Sequence, residues 1–188
     1  MSLNIEKNRA VKNYTAKEKL YRVLWAICIL FFRYSPRIFF RWRVFLLRLF
    51  GAKIGNAVHI YPSAIIYMPW NLEIDDYSAI GEDALVYNLG KITIGKNVTV
   101  SHRAHLCAGT HDYSDPALPL LKPPIILKDN VWVCANAFVG PDVIIGEGAI
   151  VGAASVVTKD VMGWSIVAGN PAKFIKKRVV RGSNIYEV

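Results

Sequence analysis

A chain of 188 residues has room for one well-cored domain and an appendage. Its three cysteines, Cys28, Cys107 and Cys134, form no CxxC pair, which argues against a disulfide framework or structural zinc site and for a reducing cytoplasm. The net charge of +9 is one-sided: residues 1–53 carry twelve Lys or Arg against Glu6 and Glu18, while the other 135 carry eleven basic and twelve acidic residues. The basicity therefore belongs to the N-terminal segment, and no nucleic-acid partner is expected.

In chain order, residues 1–13 read as a polar, loosely ordered start, and the first twenty residues carry no signal-peptide pattern. Thr15 with Glu18 three residues later is a capping-box pattern that predicts a helix start. The apolar run Val23–Phe32 is ten residues, about half of what a membrane span needs. Ser35-Pro36 breaks the segment, with Pro36 suited to the first turn of a second helix. That stretch, Ile38–Phe50, interleaves Arg41, Arg43 and Arg48 with Phe, Trp and Leu. It reads either as a cap over the end of the following repeat or as a helix in the interface of an anionic membrane, and the two are compatible.

From residue 51 to 162 a six-residue beat takes over. Ile54, Ile60 and Ile66 keep it, as do Ile74, Ile80 and Val86, then Ile94, Val100 and Leu106, then Leu127, Val133, Val139, Ile145, Val151 and Val157. Four residues after each of the last six sits Val131, Ala137, Val143, Ala149, Ser155 or Val161. Six is the period neither of a helix nor of a half-buried strand. It suits a solenoid of very short strands, six residues to a side and three sides to a turn. Two-residue slips precede Ile74 and Ile94, and a stretch with four prolines, residues 112–124, interrupts the beat. A proline-rich stretch cannot hold a ladder, and a loop ejected from a regular coil is a common seat of function. The tail, 163–188, leaves the beat and carries Lys173, Lys176, Lys177, Arg178 and Arg181, as a short helix or an extended arm after a turn at Asn170-Pro171.

The repeat, the terminal pattern Gly152–Val161 with Val167–Arg178, and His111 at the mouth of the ejected loop, with Val131–Val133 on re-entry, together resemble the hexapeptide-repeat acyltransferases. The nearest likeness is to sugar O-acetyltransferases of the maltose, galactoside and nodulation-factor type, and to the branch that serves exopolysaccharides such as colanic acid. The resemblance implies an all-β fold, a left-handed parallel β-helix with an N-terminal helical segment (1–50) and a C-terminal tail that completes an acetyl-CoA site. It implies direct transfer from acetyl-CoA to a sugar hydroxyl without a metal, with His111 as general base. Imidazole suits that task because its free pKa lies near neutrality. By the same resemblance Asn88 would hold the acceptor and Trp132 would line the pocket. Ala135 and Ala153 would leave room for the pantetheine arm, and Thr158, Lys159, Lys173 and Lys176 would meet the rest of the co-substrate. Relatives associate as trimers with sites between subunits, so a homotrimer is expected. A lipid-linked glycan acceptor at the inner membrane face would account for the basic N-terminal segment.

Plainer readings stand beside these. Asn88 suits a coil corner, Trp132 a subunit contact, and the tail lysines a solvated face. His59, His102 and His105 read as solvated or interface residues, and Cys107 and Cys134 as packing. Two other functions use the same scaffold: a γ-carbonic-anhydrase-type zinc hydratase, and a non-catalytic assembly scaffold.

Overall fold

Strands only two to four residues long stack on the three sides of a prism in the computed structural model, which describes residues 3–180. The first side pairs Lys53–Ile54, Leu72–Ile74, Ile92–Ile94, Ile125–Leu127 and Ile144–Ile145 in parallel. The second runs from His59–Ile60 through Ala79–Ile80, Thr99–Val100, Trp132–Val133 and Ile150–Val151 to Ser165–Ala168. The third stacks Ile65–Ile66, Leu85–Tyr87, His105–Cys107, Phe138–Val139 and Val156–Val157. All fifteen beat residues point inward and are at most 8% exposed. Their partners four residues on, from Val131 to Val161, are buried as well, because a six-residue side must place two apolar residues at the axis. Between sides the chain turns through left-handed residues, for which Asn97, Asn130, Asn136 and Asp142 are well suited.

Every break in the beat falls at one corner, between the third and first sides. The slip before Ile74 is taken up by the 3-10 turn Pro69–Asn71, that before Ile94 by residues 88–91, and the proline-rich loop leaves and returns there, between Cys107 and Ile125. Extra residues at a corner leave the ladders intact, whereas extra residues within a side would break its pairing with the coils above and below. Gly90 is required at this corner: a Cβ would collide with the carbonyl oxygens of Lys122 and Pro123, where the loop re-enters.

The first coil is capped by helix α2 (Ala16–Arg33) and helix α3 (Phe40–Leu49). Thr15 and Glu18 form the capping box, and Tyr21, Trp25, Ile29 and Phe32 make the inward stripe of α2 at helical spacing. Trp25 Nε1 donates to the Ile66 carbonyl at 2.8 Å, and its ring packs against Phe32 and Phe50. From α3, Leu46 and Leu47 are buried, and Arg43 is fully buried. The outward faces remain apolar: Leu20, Val23, Ile27, Leu30, Phe31, Phe39, Trp42 and Phe45 are all exposed.

Three sequence expectations change. The start is structured: α1 (Ile5–Ala10) is capped by the Asn4 side chain, which accepts from Lys7 N–H, and it rests on the ejected loop rather than on the core. Pro36 lies in the link between helices, and α3 begins four residues later, because Phe39 N–H is held by the Pro36 carbonyl in a separate turn. The tail from Gly163 takes the extended alternative, but paired with the prism and not projecting from it. Ser165–Ala168 continues the second side, then Lys173–Lys177 folds back antiparallel on it and closes the open edge. Arg181 lies outside the described residues.

Candidate active site

The ejected loop is a hairpin in which Thr110–His111 pairs antiparallel with Leu120–Leu121. His111 is exposed, and its Nδ1 lies 2.7 Å from the Leu118 carbonyl oxygen. A carbonyl can only accept, so Nδ1 carries the hydrogen and the Nε2 lone pair is free. Leu118 adopts a positive φ of 45°, an unusual conformation for leucine. Local bonds hold it there: Leu118 N–H donates to the Asp115 carbonyl, Ala117 N–H to Asp115 Oδ1, and Asp112 N–H to the Pro119 carbonyl. Ser114 hydroxyl and N–H both donate to Asp112 Oδ1, which keeps that carboxyl below its usual pKa.

The loop is also tied from outside. Asn4 N–H donates to the Pro116 carbonyl at 2.7 Å, and Asn8 Nδ2 to the carbonyls of Ala117 and Leu118 at 2.7 and 2.5 Å. Lys122 Nζ donates to the Asn13 carbonyl at 2.9 Å and sits over the Tyr14 ring. Sequence reasoning missed these residues, since two asparagines in a polar stretch carry no signal of their distant partners.

Thr158 and Lys159 lie at the same corner as the loop, in the last coil. With Lys173 they line a cavity of about 390 Å³ at the C-terminal end of the prism, together with Asp160, Met162 and Phe174. Lys173 and Lys176 are exposed on the returning strand. Ala135 and Ala153 stack one coil apart at a different corner, between the second and third sides, where Ala154 N–H donates to the Ala135 carbonyl. Trp132 is on the second side, 44% exposed, with Nε1 donating to Ser101 Oγ at 2.9 Å. Within one chain His111 shares a corner with Thr158 and Lys159, Lys173 joins the latter two in the terminal cavity, and Trp132, Ala135 and Ala153 lie elsewhere.

Asn88 departs from its expected role. It is fully buried, its Oδ1 accepting from Met68 N–H and its Nδ2 donating to the Met68 carbonyl. Where the first slip takes the chain off the ladder, Met68 needs a partner, and the Asn88 amide supplies a mimic of the next strand. Its side chain therefore faces no acceptor in this chain. His105 is not solvated: it packs edge-on to Phe138 at 5.1 Å, and burial pushes its pKa down. His59 stacks on Phe40. Burial pushes the thiols of Cys28, Cys107 and Cys134 up, which makes thiolate scarce. Among the described residues no group of three or more His, Cys, Asp or Glu is placed to hold a metal ion, and no helix is long and apolar enough to cross a membrane.

Comparison with known proteins agrees with the repeat and the fold. Residues 124–159 match the family model described as bacterial transferase hexapeptide (six repeats). WcaF of Escherichia coli (strain K12), whose name describes a colanic acid biosynthesis acetyltransferase, is 43% identical over 155 residues, 82% of this chain and 85% of that protein. The galactoside O-acetyltransferase of the same organism is 31% identical over 134 residues, 70% of this chain and 60% of that one. A hexapeptide-repeat-containing acetyltransferase from Vibrio cholerae, 25% identical, superposes with a TM-score of 0.80 over 87% of this chain and 93% of that one. The three-sided prism, the repeat and this degree of identity place the chain in the hexapeptide-repeat acetyltransferases.

Proposed function

We propose that the protein transfers an acetyl group from acetyl-CoA to a hydroxyl of a glycan acceptor in exopolysaccharide or capsule synthesis, with His111 as general base. The observation that carries the reading is the Nδ1–H contact of His111 with the Leu118 carbonyl, which leaves Nε2 as the acceptor of a proton. Nε2 takes the hydroxyl proton as that oxygen attacks the thioester carbonyl. The resulting oxyanion collapses, the C–S bond breaks, and the imidazolium returns its proton to the departing thiolate. The products are the acetyl ester and free CoA, so protons and electrons balance without a metal or an enzyme nucleophile. The high thiol pKa values fit a direct transfer, because none of the three cysteines is poised as a thiolate.

The cavity lined by Thr158, Lys159 and Lys173 suits part of the co-substrate, with the lysine ammonium groups, Lys176 included, as point charges toward its phosphates. Ala135, Ala153 and Trp132 lie on other faces, and a homotrimer would bring one subunit's second side to its neighbour's loop. His111→Ala should lower acetyl-CoA-dependent transfer by roughly two to four orders of magnitude without changing thermal unfolding. Unchanged transfer would rule His111 out as the base. A mass-spectrometric screen of candidate glycans, scored by gain of one acetyl group, identifies the acceptor.

The cap supports a place at the cytoplasmic face of an anionic membrane. Many outward residues of α2 and α3 are apolar, and Leu30, Phe31, Tyr34, Pro36, Phe39 and Trp42 line a cleft of about 780 Å³. A helix with apolar residues on both faces calls for a second cover, and the exposed Lys19, Arg33 and Arg41 on the same segment suit acidic headgroups. Ile27→Asp with Phe31→Asp should abolish sedimentation with phosphatidylglycerol vesicles while leaving transfer to a soluble acceptor unaltered. Equal sedimentation of both proteins would remove the membrane from the reading.

A further inference from the structure

We propose that Asn8 is a positioning residue for His111: its side-chain amide anchors the same Leu118 carbonyl that fixes the imidazole's tautomer and direction. The inference rests on His111 acting as the base. It goes further by assigning a role in the reaction to a segment more than one hundred residues away in sequence.

The Leu118 carbonyl oxygen has two lone pairs. Asn8 Nδ2 donates to it at 2.5 Å and His111 Nδ1 at 2.7 Å. Neither donor displaces the other, and together they set where the oxygen points. The second contact of Asn8, to the Ala117 carbonyl at 2.7 Å, and that of Asn4 N–H to the Pro116 carbonyl, at 2.7 Å, complete a row of three successive loop carbonyls held by α1 and its cap. These carbonyls need such partners because the hairpin has left the ladders, and its own paired strands span only Thr110–His111 and Leu120–Leu121.

The energetic setting makes an external anchor consequential. Leu118 sits at positive φ, a conformation that leucine keeps only when its surroundings over-determine it. If the amide is removed, the carbonyl can swing toward water, and His111 loses the acceptor that keeps hydrogen on Nδ1. The ring then populates the Nε2–H tautomer, which has no lone pair to offer the acceptor hydroxyl. A base misaligned in this way lowers the chemical step more than the binding of acetyl-CoA. Helix α1 buries no residue of its own, so Asn8 can be changed without opening the core.

The test uses the full chain and three variants. Asn8→Ala removes the amide. Asn8→Asp keeps its shape but offers oxygens to two carbonyls in place of N–H donors. His111→Ala tests the base itself. In wild type, long-range proton–nitrogen NMR of the imidazole should show His111 as the Nδ1–H tautomer. Asn8→Ala should show a substantial Nε2–H population and a kcat lowered about tenfold, with the KM for acetyl-CoA within about twofold of wild type. Asn8→Asp should be at least as impaired, and neither variant should move the unfolding midpoint by more than a few degrees. An unchanged tautomer in both Asn8 variants overturns the proposal, as does an Asn8→Asp enzyme with wild-type kcat. If His111→Ala is fully active while the tautomer still shifts in Asn8→Ala, Asn8 positions the ring and the assignment of His111 as base is what fails.

Discussion

Arg43 lies on a helix whose other arginines, Arg41 and Arg48, are exposed, yet it is fully buried. Its guanidinium donates to the carbonyls of Ile60, Pro36 and Arg37 and to Ser35 Oγ, at 2.6 to 2.9 Å. It therefore ties the interhelical link to the first coil, and burial pulls its pKa below the usual guanidinium value. A lysine cannot reproduce the planar fork. Arg43→Lys should lower the unfolding free energy by about 2 kcal/mol, and Arg43→Ala by about 3 kcal/mol, because main-chain acceptors are left without donors. Denaturant midpoints measure both, and a lysine variant as stable as wild type would show that charge alone suffices. Gly90→Ala tests the corner: its Cβ would push against Lys122 and Pro123, for a loss of about 1–3 kcal/mol in stability, with lower transfer as the hairpin shifts. At this scale the sequence was half legible. His111 stands out because a titratable residue opens a break in a strict repeat, whereas Arg43 and Asn8 look like members of a charged or polar run. Asn88 is ambiguous in sequence because its type fits an acceptor site and a coil corner equally, and only the position of Met68 distinguishes them.

Among elements, the short strands of the first side are braced outside as well as inside. Glu73 accepts from Lys53 Nζ at 2.8 Å and from Lys91 Nζ at 2.7 Å, linking three successive coils. The hydrogen bond from Lys53, then that from Lys91, hold its carboxyl below the usual value, and Lys53 is raised in return. A depressed carboxylate contributes stability that is present above its unfolded pKa of about 4.3 and lost as pH falls through the lower folded value. The stability difference between wild type and Glu73→Gln should therefore be constant from about pH 5.5 to 8 and should close below about pH 4. Water screens exposed pairs of this kind, so the difference is small. A difference that persisted at low pH would mean that Glu73 acts through packing. The capping box of α2 was readable in advance because Thr15 and Glu18 are close in sequence. The start of α3 was not, since Pro36 fits a helix's first turn as well as the turn it occupies, and the Arg43 bonds to the link decide between them.

For the whole molecule, the distribution of site residues over two corners and one side is the main consequence of the fold. Trp132, Ala135 and Ala153 lie away from the His111 corner of their own chain, so the proposed function, if it uses them, calls for a neighbouring subunit. Light scattering on the purified protein should give three chains per particle. A monomer with full activity would remove the shared-site reading. The cap must stay in any such experiment: Trp25, Phe32 and Leu47 belong to the same core as the strands, and deletion of residues 1–50 should expose it and cause aggregation. The prism is legible in the sequence alone, because one buried aliphatic residue in six leaves few other ways to hide the repeat from water. So is the place where it is interrupted, since prolines cannot hold a ladder. Tertiary contacts alone set three things: that every interruption shares one corner, that residues 4–14 rest on the ejected loop, and which nitrogen of His111 is free. Those outcomes depend on contacts between residues far apart in the chain, made by polar groups that have no period of their own.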